Sequence, residues 1–83
     1  MSSRQLVAVE WLDHCTRDGP AWQSMEDVKG LSPAVCYSVG YLINETDQYV
    51  TIAAHVGPDD DDHEVGGAMC IVKSCIVRRE CLR

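Results

Sequence analysis

Residues 35–56 read VCYSVGYLINETDQYVTIAAHV and contain two β-rich runs separated by a polar turn. In the first run, apolar side chains recur at every second position from Val35 to Ile43, which is the pattern of a strand with one buried face. The polar residues 45–47 separate it from a second run over 49–56, so the stretch predicts a β-hairpin. Gly40 interrupts the first run, and a glycine inside a strand is typical of a bulge or bend.

The segments on either side of this hairpin predict three more strands. In residues 6–12, Val7, Val9 and Trp11 alternate with other residues and share one face. Residues 68–72 predict a fourth strand, and a fifth begins at Ile76 after a tight one-turn link over 73–75. The sequence therefore predicts five short strands.

One short helical segment precedes the hairpin. Ser24 is placed to cap a helix of one or two turns, and Gly30 is placed to end it in the left-handed conformation. Five short strands with one helical turn are the secondary-structure elements of a small barrel that closes its own edges. We therefore expect a mainly β fold, a five-stranded SH3-like or Sm-like barrel with one short helical turn, and residues 1–83 as a single domain.

Charge is unevenly distributed along this chain of 83 residues, whose formal net charge is -6. Residues 31–66 contain seven anions and no cation, whereas residues 67–83 contain four cations and one anion. A protein that binds duplex DNA needs a broad cationic face, so this distribution excludes that class. It favours a chain that pairs its own ends or that presents an acidic surface to a basic partner.

Length and hydrophobicity exclude further classes. No apolar run approaches the roughly 20 residues that cross a bilayer, so we expect no membrane partner. The sequence from Met1 has no apolar signal segment, which predicts a cytoplasmic protein. A domain this short buries only about 60% of its unfolded surface. We therefore expect self-association rather than a large cleft within one chain.

The five cysteines have neither an even count nor a C-x-x-C pair. This favours a reducing compartment in which the thiols act as small apolar residues. A zinc site would need ligands in close pairs, and only His14 and Cys15 are adjacent. A catalytic thiol at Cys15 would need a base and an orienting group, neither of which the sequence places. We therefore predict no catalytic residues, no metal site and no cofactor, and we expect that the protein is not an enzyme.

Two segments resemble motifs of the Sm family. Gly40-x-Leu42 with residues 47–52 resembles the first Sm motif, and residues 71–76 have the apolar spacing of the second. The resemblance implies a barrel and ring-like self-association through the outer strands. It does not carry RNA binding with it, because Thr51 stands in place of the family's base-contacting Asn and Val72-Lys73 in place of its Arg-Gly pair. The helical turn also follows the first strand, whereas the family places its helix before it.

The chain is also similar in style to small accessory proteins encoded by bacteriophages and prophages, with a short first strand, Trp22 in a loop and a closing segment 73–79. This similarity implies a non-catalytic binding protein that self-associates and inhibits or sequesters a host factor, such as a defence component, in the host cytoplasm. The alternative is an Sm-like ring that binds a nucleotide, such as a cyclic nucleotide signal, or RNA at its subunit interfaces.

Three groups of residues are the candidate binding sites. Trp22 lies beside Pro20 and before the helical turn, where it is available for stacking or partner contact. The acidic run Asp59 to Asp62 lacks the spacing of a calcium loop, so it is either a solvated loop or a surface that docks on a basic partner. Arginine makes bidentate contacts to phosphate, which suits a nucleotide ligand, although exposed arginine at a strand end is also ordinary. The candidates are Trp22, the acidic Asp59, Asp60, Asp61 and Asp62, and the basic Lys73, Arg78 and Arg79.

Overall fold

Five strands of the chain form one antiparallel sheet with the order β4-β3-β2-β1-β5. The computed structural model describes residues 4–15, 19, 21–57 and 64–83. The elements are β1 (Leu6–Asp13), α1 (Met25–Lys29), β2 (Ala34–Glu45), β3 (Tyr49–Val56), β4 (Val65–Val72), a 3-10 turn (Lys73–Cys75) and β5 (Ile76–Cys81). The prediction of a mainly β fold with five strands and a short helical element is confirmed, although β2 is longer than the short strands expected. Strands β4 and β5 are the two edges of this sheet, which is not closed by a ladder between them within the described residues.

The long strand β2 joins two halves of the sheet, one formed with β1 and β5 and the other with β3 and β4. From Ala34 to Tyr41 it pairs with β1, and from Tyr41 to Glu45 it pairs with β3. Gly40 lies where the pairing changes, and a Cβ atom there would lie 3.0 Å from the carbonyl oxygen of Ala53. A side chain at this position would therefore collide with the β3 backbone. The glycine allows β2 and β3 to approach closely here, whereas the shift in their pairing register lies further along β2, between Leu42 and Asn44.

The core lies between the two halves. Val7 and Val9 of β1 contribute one side, and the other comes from β3 and β4 through Val50, Ile52 and Ile71. Each of these five side chains is almost fully buried. Trp11, Leu42 and Ile76 pack around the cluster. Full burial of such side chains contributes about 1.5–3 kcal/mol each, so this small cluster is the main apolar contribution to stability.

The helix α1 forms with the predicted N-cap and ends differently from the prediction. The Ser24 hydroxyl accepts a hydrogen bond from the backbone N–H of Asp27 at 3.1 Å. Gly30 has φ -82° and ψ -3°, so the predicted left-handed stop is wrong. Its backbone N–H donates to the Asp27 carbonyl at 3.2 Å, which closes the helix with a tight turn of right-handed geometry.

Candidate functional site

Glu45, at the end of β2, binds two of the three predicted cationic residues. Arg79 donates from Nη1 and Nη2 to the two carboxylate oxygens at 2.9 and 3.0 Å, and Lys73 Nζ lies 2.8 Å from Oε2. The hydrogen bonds from Arg79 and from Lys73 lower the pKa of Glu45 to about 2. The same contact raises the pKa of Arg79 above its ordinary value. The carboxylate is therefore ionised at neutral pH, and both cations are engaged by it.

Backbone hydrogen bonds bring these side chains together. The Thr46 hydroxyl accepts from the backbone N–H groups of Gln48 and Tyr49 at 3.1 Å each, which shapes the turn between β2 and β3. The Gln48 carbonyl then accepts the backbone N–H of Lys73 at 2.7 Å. This bond fastens the turn to the 3-10 turn and holds Lys73 beside Glu45.

Arg78 lies on the opposite face of β5 from Arg79, because successive side chains of a strand point to opposite sides. It pairs in register with Glu10 of β1, and its Nη2 lies 3.7 Å from Glu10 Oε1. The Arg78 side chain is 75% exposed, so this ion pair contributes little to stability. The structure thus brings Lys73 and Arg79 together and separates Arg78 from them.

The other predicted site residues are placed as follows. Trp22 precedes the N-cap of α1 and is 93% exposed. Its predicted role in partner contact stays a prediction. Asp59, Asp60, Asp61 and Asp62 lie outside the described residues.

The outer surface of β1 and β2 carries large apolar side chains that the sequence reasoning did not single out. Tyr37 is 73% exposed and Val39 57% exposed, and Val35 and Leu12 continue the same face. We call these four residues the outer apolar face. A depression of about 70 Å³ lies beside it, lined by Tyr37 and Val39 and, across β1, by Arg78. This face is apolar at its centre and charged at its border with β5, which is typical of a surface that binds another macromolecule.

Small residues on the inner side of β2 explain why the large ones point outward. Positions 36, 38 and 40 are Cys, Ser and Gly, and they share the face of the core residues Val7 and Val9. Trp11 fills the space above them, with its indole N–H donating to the Ser38 hydroxyl at 3.1 Å. That hydroxyl lies 3.7 Å from the sulfur of Met69 on β4. The sequence shows this alternation of large and small residues, but it does not show which of the two sets faces the core.

The segment around α1 exposes a second group of apolar side chains. Met25 is 70% exposed, Val28 and Leu31 are also exposed, and none of the helix residues is buried. A helix of five residues is stable only through its packing on other elements. These side chains, together with Trp22, are therefore available to a partner.

Thiol and histidine groups do not form a metal centre within the described residues. No disulfide joins the five cysteines, all of which lie in the described part of the chain. Cys70 and Cys75 line one cleft of about 280 Å³ together with Asp13 and His14. His14 Nδ1 lies 3.3 Å from Asp13 Oδ1. No group of three or more His, Cys, Asp or Glu side chains in the described part of the chain is arranged to hold a metal ion.

Two further findings bear on what the chain is. Among the described residues, no helix has the length and apolar character that crossing a membrane requires. Comparisons with protein-family models, with curated proteins and with solved structures found no match.

Proposed function

We propose that this chain is a non-catalytic binding protein that self-associates and inhibits or sequesters a host factor in the cytoplasm, in the manner of a phage accessory protein. The observation that supports binding is the outer apolar face. Its central side chains, Tyr37 and Val39, lie more than half exposed on a regular strand. A monomer that leaves such side chains together on a rigid surface gains free energy when a partner covers them.

The proposed fold is an SH3-like or Sm-like barrel that, in a single chain, stays open between the edge strands β4 and β5. Support comes from the strand order and from the short 3-10 turn between β4 and β5. The contact of Arg79 on β5 with Glu45 on β2 links two strands that are not neighbours in the sheet. Such a contact requires a strongly curved sheet, as in a barrel.

The alternative function, nucleotide or RNA binding at subunit interfaces, has weaker support. Lys73 and Arg79 both bind Glu45, so a phosphate would have to compete with a carboxylate already held by three charge-assisted contacts. Arg78 faces away from them. Binding of cyclic nucleotides or oligoribonucleotides at moderate salt would favour the alternative over the proposed function.

A pair of matched valine substitutions tests the proposed function. Val39 on β2 and Val77 on β5 are 57% and 55% exposed. Val77 lies on β5, which β1 separates from β2, so it is not part of the outer apolar face. We expect the tagged wild-type protein to retain one host protein in stoichiometric amount from a bacterial lysate, and Val77→Lys to retain it equally.

Val39→Lys should weaken retention by about tenfold or more. The substitution replaces a valine side chain, whose burial by the partner contributes about 1.5 kcal/mol, with a charged one. Equal retention by Val39→Lys and Val77→Lys would show that the outer apolar face is not the binding surface. If the wild-type protein retains no host protein stoichiometrically, the proposed function is wrong.

A further inference from the structure

The edge strand β4 lacks the features that normally prevent an edge from pairing with another chain. Strand β4 reads VGGAMCIV and contains no charged residue and no proline. Among the described residues only β3 pairs with it, so every second residue directs its backbone N–H and C=O groups away from the sheet. Edges of stable monomers are usually short or are protected by charge, proline or a bulge. Cys70 of this edge lines a cleft of about 280 Å³ together with Asp13 and His14, but no described strand pairs across the cleft, so the β4 edge is open to another strand.

The opposite edge, β5, is protected. It contains three consecutive charged residues over 78–80, and its pairing with β1 shifts register between Glu10 and Trp11. Beyond the strand, Leu82 and Arg83 donate their backbone N–H groups to the Leu6 carbonyl at 2.7 and 3.3 Å. Charge and irregular register both disfavour the addition of a further strand on this side. The two edges thus differ, and only β4 is suited to pairing.

We propose that β4 pairs antiparallel with β4 of a second copy across a two-fold axis, which joins the two sheets into one. This inference rests on the self-association in the proposed function and names its surface. A two-fold interface uses the same patch on both copies, so the uncharged strand meets an equally uncharged one. Because each chain carries a net charge of -6, two copies approach most favourably where neither presents charge.

The orientation follows from the ends of the strand. Glu64 precedes β4 and Lys73 follows it. Antiparallel pairing brings the Glu64 end of each copy towards the Lys73 end of the other, whereas parallel pairing would bring like charges together. Lys73 contacts Glu45 through Nζ, and an ammonium group has three N–H donors, so donors remain for a second acidic group.

The register follows from Gly67. Its φ of +65° departs from extended geometry, so the regular part of the edge runs from Ala68 to Val72. Cys70 is the central residue of this segment and is exposed. Full overlap of two such segments places Cys70 opposite its own copy, with the Cβ atoms about 4.5–5.5 Å apart. Met69 then lies opposite Ile71 of the second copy, on the face of the core.

Two matched cysteine substitutions test the pairing. Cys70 on β4 and Cys81 on β5 are both exposed and lie on opposite edges of the sheet. Molar mass is measured by light scattering after gel filtration, and circular dichroism confirms that each variant is folded. We expect the wild type and Cys81→Lys to show twice the mass of the 9.2 kDa chain. Cys70→Lys places two ammonium groups face to face and should show the mass of one chain.

Cross-linking provides a second measurement. A short bis-maleimide should join two wild-type chains, and the dimer band should disappear in Cys70→Ser and persist in Cys81→Ser. A wild-type monomer would overturn both the pairing and the self-association in the proposed function. Two results would overturn the pairing of β4 with β4 but not the self-association. One is an oligomer that survives Cys70→Lys. The other is an oligomer that both Cys70→Lys and Cys81→Lys dissociate, as pairing of β4 with β5 of the next copy would require.

Discussion

Replacing Gly40 with alanine tests the close approach of β2 to β3 directly. A Cβ atom at this position would lie 3.0 Å from the Ala53 carbonyl oxygen and 3.1 Å from the Ile52 Cβ. Both are rigid parts of β3, so the strands must separate by several tenths of an ångström. Introducing a group into a well-packed site typically costs about 1–3 kcal/mol. Alanine also reduces the entropy of the unfolded chain, which offsets about 0.4–1 kcal/mol.

With the midpoints of these two ranges, the net result for Gly40→Ala is a destabilisation of about 1.3 kcal/mol. For a domain of this size, each kcal/mol lowers the melting temperature by about 4–8 °C. The melting temperature is measured by circular dichroism at one fixed protein concentration, because self-association makes it concentration-dependent. We expect Gly40→Ala to melt several degrees below the wild type.

The matched control is Gly30→Ala at the end of α1. Its φ of -82° is ordinary for alanine, and the nearest atom to a Cβ there is the Asp27 carbonyl oxygen at 3.4 Å. We expect this variant to be as stable as the wild type or slightly more stable. If Gly40→Ala were as stable as Gly30→Ala, β2 would not approach β3 closely at residue 40, and the account of the core between two halves would be wrong.

Two further predictions concern stability. The Glu45 carboxylate has a folded-state pKa of about 2, below its unfolded value of 4.5, so its contribution to stability is complete above pH 4.5 and is lost as the pH falls towards 2. In urea titrations over this range, Glu45→Gln should lose less stability than the wild type. Equal pH profiles for Glu45→Gln and the wild type would refute the role of the cluster. Ile71 is 2% exposed in the core, so Ile71→Ala should reduce the free energy of unfolding by about 2–5 kcal/mol and Ile71→Val by about 0.5–1.5 kcal/mol. Similar losses in both variants would contradict the assignment of Ile71 to the core.

Sequence patterns were sufficient to predict the strands, because each strand carries an alternation that does not depend on its neighbours. The sequence predicted a bulge or bend at Gly40, whereas the structure shows a close approach of the β3 backbone there and a register shift between Leu42 and Asn44. The end of α1 was not predictable from the sequence. Gly30 can adopt left-handed or right-handed geometry equally well, and only the hydrogen bond to Asp27 selects the latter.

Alternation alone does not identify which face of a strand is buried. In β2 the large residues would be assigned to the interior by hydrophobicity, yet Tyr37 is exposed and Ser38 lies over the core. The deciding contact comes from Trp11, which is 27 positions away in the chain. The outer apolar face was therefore not predictable without the tertiary structure.

The sequence did not predict which charged residues lie together, for a similar reason. Arg78 and Arg79 are adjacent in sequence, but a strand directs them to opposite faces. The partner of Arg79 is Glu45, which lies 34 positions earlier. No local pattern shows that β2 curves far enough to bring its last residue to β5, so the engagement of Lys73 and Arg79 by one carboxylate could not be deduced from the sequence.

The sharing of β2 between the two halves of the sheet has a consequence for folding. Strand β2 pairs with both β1 and β3, and the core cluster contains side chains from both halves of the sheet. Neither half can therefore remain folded when the other opens. Amides in β1 and in β3 should exchange with solvent only through opening of the whole chain, as in a single cooperative unit.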